Sequence, residues 1–175
     1  MNAHQPPEAI PSARVEFALW FATCIGERLG RSHPPIVDLP ALRSLPPGSF
    51  GRAWADHLDE HGLKPLDRGM RRQQLHDGVH TLTGYGIDPL GEGEVQMFLL
   101  GAKFRPVHLL LMAGIVRGLK QQRRATGEPS RETVRSRLKA AYQRGRTANF
   151  DPDGWQPETL WSRSLEDVRA EFGLA

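Results

Sequence analysis

The stretch Leu75-His76-Asp77-Gly78-Val79-His80-Thr81-Leu82-Thr83-Gly84-Tyr85-Gly86-Ile87-Asp88-Pro89-Leu90-Gly91-Glu92 decides how this chain is read. His76 and His80 stand four apart, so on a helix they lie one turn above each other on one face. Both imidazoles can then aim at one point, the arrangement by which two histidines on a helix bind zinc. Asp77 sits about 100° round that helix. From there it reaches the same ion only from the side, or it serves a ligand as partner, or acts as a base. Gly84 and Gly86 end the helix, and the chain reverses through Ile87 and Asp88. Asp88-Pro89 then opens a second helix, an Asx cap followed by proline at the first helical position. Glu92 falls in its first turn, beside the end from which His80 projects, with Glu94 as a further carboxylate. A helical hairpin can thus gather two nitrogens and one or two carboxylates without any strand. The competing arrangement is a pair of histidines hydrogen-bonded within a helix interface, with Asp77 orienting one of them.

Outward from this hairpin the chain also reads as helix, punctuated by 14 prolines and 18 glycines. Apolar residues near a 3.6 period predict a helix over 12–29, after a flexible segment over 1–11. A proline-rich connector over 34–47 holds one short turn at 41–44. Ser49 caps a helix that ends near Gly62, and the helix carrying His76 and His80 is expected to span 66–83. The helix after Asp88 runs to about Lys103. Others cover 106–120, 130–145 and 165–172. No alternating strand pattern and no internal repeat appears. The expected fold is all-α: a single-domain helical bundle over 12–175, with a metal site at a helical hairpin.

The 175 residues suffice for one domain with a real core, with 39% hydrophobic and 25% charged residues. Mean hydropathy is −0.46. One cysteine, Cys24, rules out an internal disulfide and a cysteine-based zinc cluster, and reads as a buried, inert thiol. No apolar run approaches the roughly 18 residues of a membrane span. The first residues resemble neither a secretory signal nor a transit peptide. A net charge of +3 conceals a basic segment: from Arg117 to Arg146 ten Lys or Arg face only Glu128 and Glu132. That segment reads as a solvated helix face or as a patch for an anionic surface. Nucleic acid is not an expected partner, since no recognition motif or zinc-finger spacing accompanies the charge.

Three further features have competing readings. The apolar stretch from Val95 to Val116 reads as two core helices, or as the lining of a groove for an isoprenoid tail or bilayer interface. Small residues Ala102, Ala113 and Gly114 suit either. His108 inside it reads as a satisfied interface histidine or as a polar group near the metal. His57 and His61, also four apart, read as surface or as a second metal pair.

The hairpin strongly resembles the signature of the coenzyme Q biosynthesis protein 4 family, H-D-x-x-H-x11-E, matched here by His76, Asp77, His80 and Glu92. The likeness extends to Leu45-Pro46-Pro47-Gly48-Ser49-Phe50-Gly51-Arg52-Ala53-Trp54 ahead of the motif. It continues in Ala141-Tyr142-Gln143-Arg144-Gly145, Leu160-Trp161 and Leu165-Glu166-Asp167-Val168-Arg169 behind it. It covers about residues 17–173, with 120–137 the least characteristic part. The resemblance implies His76, Asp77, His80 and Glu92 as metal ligands, with Asp77 and Glu92 as candidate catalytic groups.

The same resemblance implies ubiquinone assembly at the inner face of a membrane. The implied activity is removal of the C1 carboxyl group of a polyprenylated benzoate ring, coupled to hydroxylation there. A second implied role is a non-catalytic prenyl-lipid-binding scaffold that gathers the other ubiquinone biosynthetic enzymes. Self-association into a homo-oligomer is implied as well. Zinc is the first expectation for the cofactor, with iron, manganese or magnesium as alternatives, since two histidines and a carboxylate suit several divalent ions. A soluble metal-dependent hydrolase, with Asp77 or Glu92 activating water, is the third possibility. The expected location is cytoplasmic, peripherally associated with the inner membrane, whose anionic headgroups the basic segment can meet. The polyprenylated quinone precursor is the expected small-molecule partner.

Overall fold

The computed structural model describes residues 33–175, which form eight α-helices and one 3-10 turn. The expected helix over 12–29, its Cys24 and the segment 1–11 lie outside the described residues. In chain order the helices are α1 (Leu39–Arg43), α2 (Phe50–Glu60), α3 (Arg71–Gln74), α4 (His76–Thr83), α5 (Pro89–Ala102), α6 (Pro106–Thr126), α7 (Arg131–Thr147) and α8 (Leu165–Glu171). Among the described residues there is no strand, only an isolated antiparallel bridge between Ser49 and Ser164. The fold is therefore all-α, as the periodicity predicts.

The caps fall where short polar side chains can satisfy the first N–H groups of a helix. Ser49 Oγ accepts from the Arg52 amide, Asp88 from Leu90 and Gly91, Ser130 from Thr133, and Ser164 from Asp167. The start of α2 is held further by the C-terminal turn: Phe50 donates to the Arg163 carbonyl at 2.7 Å and Gly51 to Trp161 at 2.9 Å. The core lies beneath this junction. Phe50 and Trp54, both fully buried, pack with Trp155 and Trp161. Val79 and Leu82 of α4 and Val95 and Phe98 of α5 complete it.

Two expectations need revision. The helix expected over 66–83 is broken: residues 66–70 are not helical, and α3 and α4 meet at Leu75. The cause is tertiary. The buried Gln74 side chain accepts from the Ile36 amide and donates to the His33 and Pro34 carbonyls, while Gln73 Oε1 accepts from the Met70 amide. The Gln74 bonds anchor the proline-rich connector to the chain just ahead of the metal motif, and the Gln73 bond caps the short helix α3.

The second concerns the apolar third, which is only half core. Val95, Phe98 and Leu99 of α5 are buried, but α6 buries only His108, Met112 and Leu119. Phe104, Val107, Leu109 and Leu110 are exposed. Small residues explain why α5 and α7 pack so closely: a Cβ on Gly101 would fall 2.2 Å from the Tyr142 carbonyl oxygen. One on Gly145 would fall 2.0 Å from that of Phe98. Gly114 has open space beside it and takes no part in this packing.

Candidate metal centre

Helix α4 is fixed at both ends, and this aims its histidines. At its C-terminus Gly84 adopts φ 76°, a left-handed conformation that costs glycine little, and its amide closes on His80. The last carbonyls, which a helix leaves unpaired, are taken by arginines from distant helices. Arg144 donates to Thr83 at 2.8 Å, while Arg169 donates to Leu82 at 2.9 Å and Thr81 at 3.0 Å. Burial, with Arg144 nearby, pushes the Arg169 guanidinium down from its ordinary value. The reversal after Gly84 is tight because Gly91 lets α5 approach the Gly86 carbonyl, which a Cβ there would meet at 2.0 Å.

Into this corner project His76, His80 and Glu92, whose donor atoms all lie within 4.8 Å of one another. His80 Nε2 is 3.4 Å from one Glu92 oxygen and His76 Nε2 is 3.5 Å from the other. Two donors bonded to a tetrahedral zinc at about 2.05 Å lie about 3.3 Å apart, so the two histidine–carboxylate separations are already close to that spacing. His80 is almost wholly buried. Its Nδ1–H donates to the Tyr85 carbonyl at 3.0 Å, which leaves the Nε2 lone pair facing the carboxylate with no hydrogen-bond partner. Two acceptors facing each other at this range repel unless a cation or proton sits between them. The donor set thus fits a divalent metal.

Asp77 is not in this three-donor cluster. Its carboxylate stands 3.7 Å from His76 Nδ1, the ring nitrogen opposite the one that faces Glu92. Burial lowers the His76 pKa, but Asp77 and the Glu92 charge outweigh it and leave the net shift upward. A carboxylate on the far nitrogen of a ligating histidine is the common way of fixing ring orientation and tautomer. Glu94, the other carboxylate near the hairpin, faces away: it is buried against Arg137 of α7, whose Nε donates at 2.7 Å.

His57 and His61 do not assemble a second cluster among the described residues. His61 Nδ1 donates to the His57 carbonyl at 2.8 Å, and the His57 ring stacks on that of His80 at 5.9 Å. Burial, then His61 and His80, push the His57 pKa down. His108 is a buried, bonded interface histidine: its Nδ1 lies 2.7 Å from Gln96 Oε1 and its Nε2 lies 3.2 Å from Arg72 Nη2. Gln96, which the sequence did not single out, stands one turn beyond Glu92 on α5, with its amide nitrogen 3.5 Å from His76 Nε2. Its spacing of four from Glu92 was the available signal.

Fold and site together define an all-helical protein with a candidate two-histidine, one-carboxylate metal centre built on a helical hairpin. Residues 27–175 match the family model described as Coenzyme Q (ubiquinone) biosynthesis protein Coq4, and the chain belongs to that family. It is 28% identical over 167 residues to the Ubiquinone biosynthesis protein coq4, mitochondrial, of Botryotinia fuckeliana, covering 85% of this chain and 57% of that protein. To the human Ubiquinone biosynthesis protein COQ4 homolog, mitochondrial, it is 29% identical over 163 residues, covering 79% and 55%. The chain thus spans little more than half the length of these curated relatives. A crystal structure of a candidate ubiquinone biosynthesis protein from Nostoc punctiforme shares the fold. Its TM-score is 0.67 at 18% identity, over 93% of this chain and 82% of that one. No described helix is long and apolar enough to cross a membrane.

Proposed function

We propose that this ubiquinone biosynthesis protein holds a divalent metal, zinc first among the candidates, and acts at C1 of a polyprenylated benzoate ring. The observation that carries the reading is the facing pair of acceptors, His80 Nε2 and a Glu92 oxygen, where that buried ring nitrogen has no hydrogen-bond partner. Three protein donors would leave a four-coordinate ion room for one further ligand, which suits a reactive site rather than a closed structural one. The chemistry such an ion supplies is Lewis acidity toward a carboxylate or phenolate oxygen. His76 and Glu92, both partly exposed, form the accessible rim, while His80 behind them is locked by the Tyr85 carbonyl. The Asp77 charge, 3.7 Å from His76 Nδ1, favours the ring proton on that nitrogen, which keeps Nε2 for the site. In the overall change the bond from C1 to the carboxyl carbon breaks with loss of carbon dioxide, and a C1–oxygen bond forms. Dioxygen supplies that oxygen, and a two-electron donor reduces its other atom to water.

A second reading, the prenyl-lipid-binding scaffold that gathers sister enzymes, draws on α6. Exposed Phe104, Val107 and Leu110 are followed along the chain by Lys120, Arg123 and Arg124, a combination suited to a peripheral position on an anionic membrane. The relatives' mitochondrial names are compatible with either role. The test is to purify the protein, measure its metal and extract bound lipid. One metal per chain with prenyl-lipid supports both readings, whereas neither, under conditions that retain both, overturns them. A His80→Ala variant that stays folded and lipid-bound but fails to support quinone production favours chemistry. Full quinone production by that variant favours the scaffold.

A further inference from the structure

Arg72, His108 and Gln96 form a line of polar groups that ends at the candidate metal centre, and their orientations follow from one constraint. A guanidinium can only donate hydrogen bonds. Arg72 Nη2 lies 3.2 Å from His108 Nε2, so that nitrogen is the acceptor and carries a lone pair. The ring proton of neutral His108 is therefore on Nδ1, and it is donated to Gln96 at 2.7 Å. The atom of Gln96 receiving it must be the carbonyl oxygen, which leaves the NH2 group no choice but to face His76. Gln96 and His108 are both more than nine-tenths buried, so water does not scramble this order.

The NH2 group at the end of the line is poorly satisfied. Its distance of 3.5 Å to His76 Nε2 is at the outer limit of hydrogen bonding. A ring nitrogen that gives its lone pair to a metal has nothing left with which to accept an N–H. Gln96 also stands four residues after Glu92, on the same face of α5. With the metal bound, this buried donor needs another acceptor in the same small space.

We propose that Gln96 is a binding residue of the metal centre that takes no metal itself. Its carboxamide, locked by His108, presents a fixed N–H to an anionic oxygen of a ligand, a carboxylate or phenolate held beside His76. The inference rests on the metal reading above and deepens it: Gln96 selects for an anionic oxygen at the open position, which the ring acid of that reading supplies. A hydrogen bond to a charged oxygen in a buried setting accounts for about tenfold or more in affinity.

The test uses cobalt(II) in place of the native ion and benzoate as the probe, with the visible spectrum of the cobalt as readout. Gln96→Leu removes the donor. Gln96→Glu keeps an acceptor for His108 Nδ1–H but replaces the N–H with a negative oxygen, and it is the safer variant for folding. Both variants are expected to bind cobalt at least as tightly as the wild type, while benzoate binding weakens about tenfold for Leu and more for Glu. Unchanged benzoate affinity in either folded variant overturns the proposal. So does a wild-type cobalt spectrum that benzoate does not perturb. A wild-type protein that takes up no cobalt overturns the metal reading and this inference together, which separates that failure from a failure of Gln96 alone.

Discussion

A Cβ placed on Gly78 would lie 2.2 Å from Cη2 and Cζ3 of Trp54, so the metal helix and the tryptophan core meet through a missing side chain. Gly78 stands between Asp77 and His80, and Trp54 is fully buried among Phe50, Trp155 and Trp161. The six-membered edge of the indole therefore sets how deeply α4 seats, and with it where both imidazoles point. Gly78→Ala gains up to about 1 kcal/mol of helix propensity but forces either the indole or the helix to move. Overpacking of this kind costs about 1–3 kcal/mol and exceeds the gain. We expect a net loss of stability in urea unfolding and weaker metal binding, with both partly restored by a smaller residue at Trp54. A variant as stable as the wild type would show that Trp54 yields freely.

Asp77 separates from the three clustered donors in its expected effect. Removing His76, His80 or Glu92 deletes a donor outright, and each alanine variant is expected to lose stoichiometric metal in an equilibrium dialysis. Asp77→Asn leaves those donors in place and changes only the group beside His76 Nδ1. Its affinity should fall about 10–100-fold, the usual effect of losing a partner that orients a ligating histidine. Loss as complete as that of Glu92→Ala would make Asp77 a direct ligand, and no loss would leave it without a role in the site.

Much of the hairpin was legible because its determinants are local. The spacing of His76 and His80 is a helical repeat, and the Asp88-Pro89 cap and Gly84 bound the two helices within a few residues. The break between α3 and α4 was not legible, since it depends on Gln74 bonding to residues some forty positions earlier. The same holds for Arg144 and Arg169, whose role is to close carbonyls of a helix more than sixty residues away. Apolar periodicity marked α6 as a helix, but it reports a face and not what covers that face. Exposed Leu110 and buried Met112 belong to the same hydrophobic run.

Glu94 illustrates how a candidate carboxylate is assigned by its partner. It is buried between α5 and α7 and paired with Arg137. Arg137→Ala strands a buried charge and is expected to cost about 2 kcal/mol, below the roughly 3–5 kcal/mol for fully buried pairs because Arg137 itself reaches solvent. Glu94→Gln should cost less and leave metal stoichiometry unchanged, because Glu94 does not face the three donors. Unfolding curves and metal analysis on the two variants check both statements. Loss of metal in a stable Glu94→Gln protein would bring Glu94 back into the site.

His108 gives the fold a pH dependence of definite sign. Burial, then the charge of Arg72, push it from an ordinary 6.5 down to about 4. Between those values the unfolded chain binds a proton that the folded chain does not, so folding stability increases with pH. The contribution is fully present above about pH 6.5 and is lost progressively as pH falls toward 4. The slope is at most about 1.4 kcal/mol per pH unit, or about 3 kcal/mol over the whole window. Other histidines add to the pH dependence: His57, shifted down, has the same sign, whereas His76, shifted up, has the opposite sign and acts above the ordinary imidazole value. The comparison that isolates His108 is therefore wild type against His108→Gln, which can still donate to Gln96 and accept from Arg72. The advantage of the wild type in metal-free unfolding is expected to shrink steadily as the buffer is taken from pH 7 to pH 4. Parallel stability curves across that range would mean that His108 takes up its proton in the folded protein as readily as in the unfolded chain.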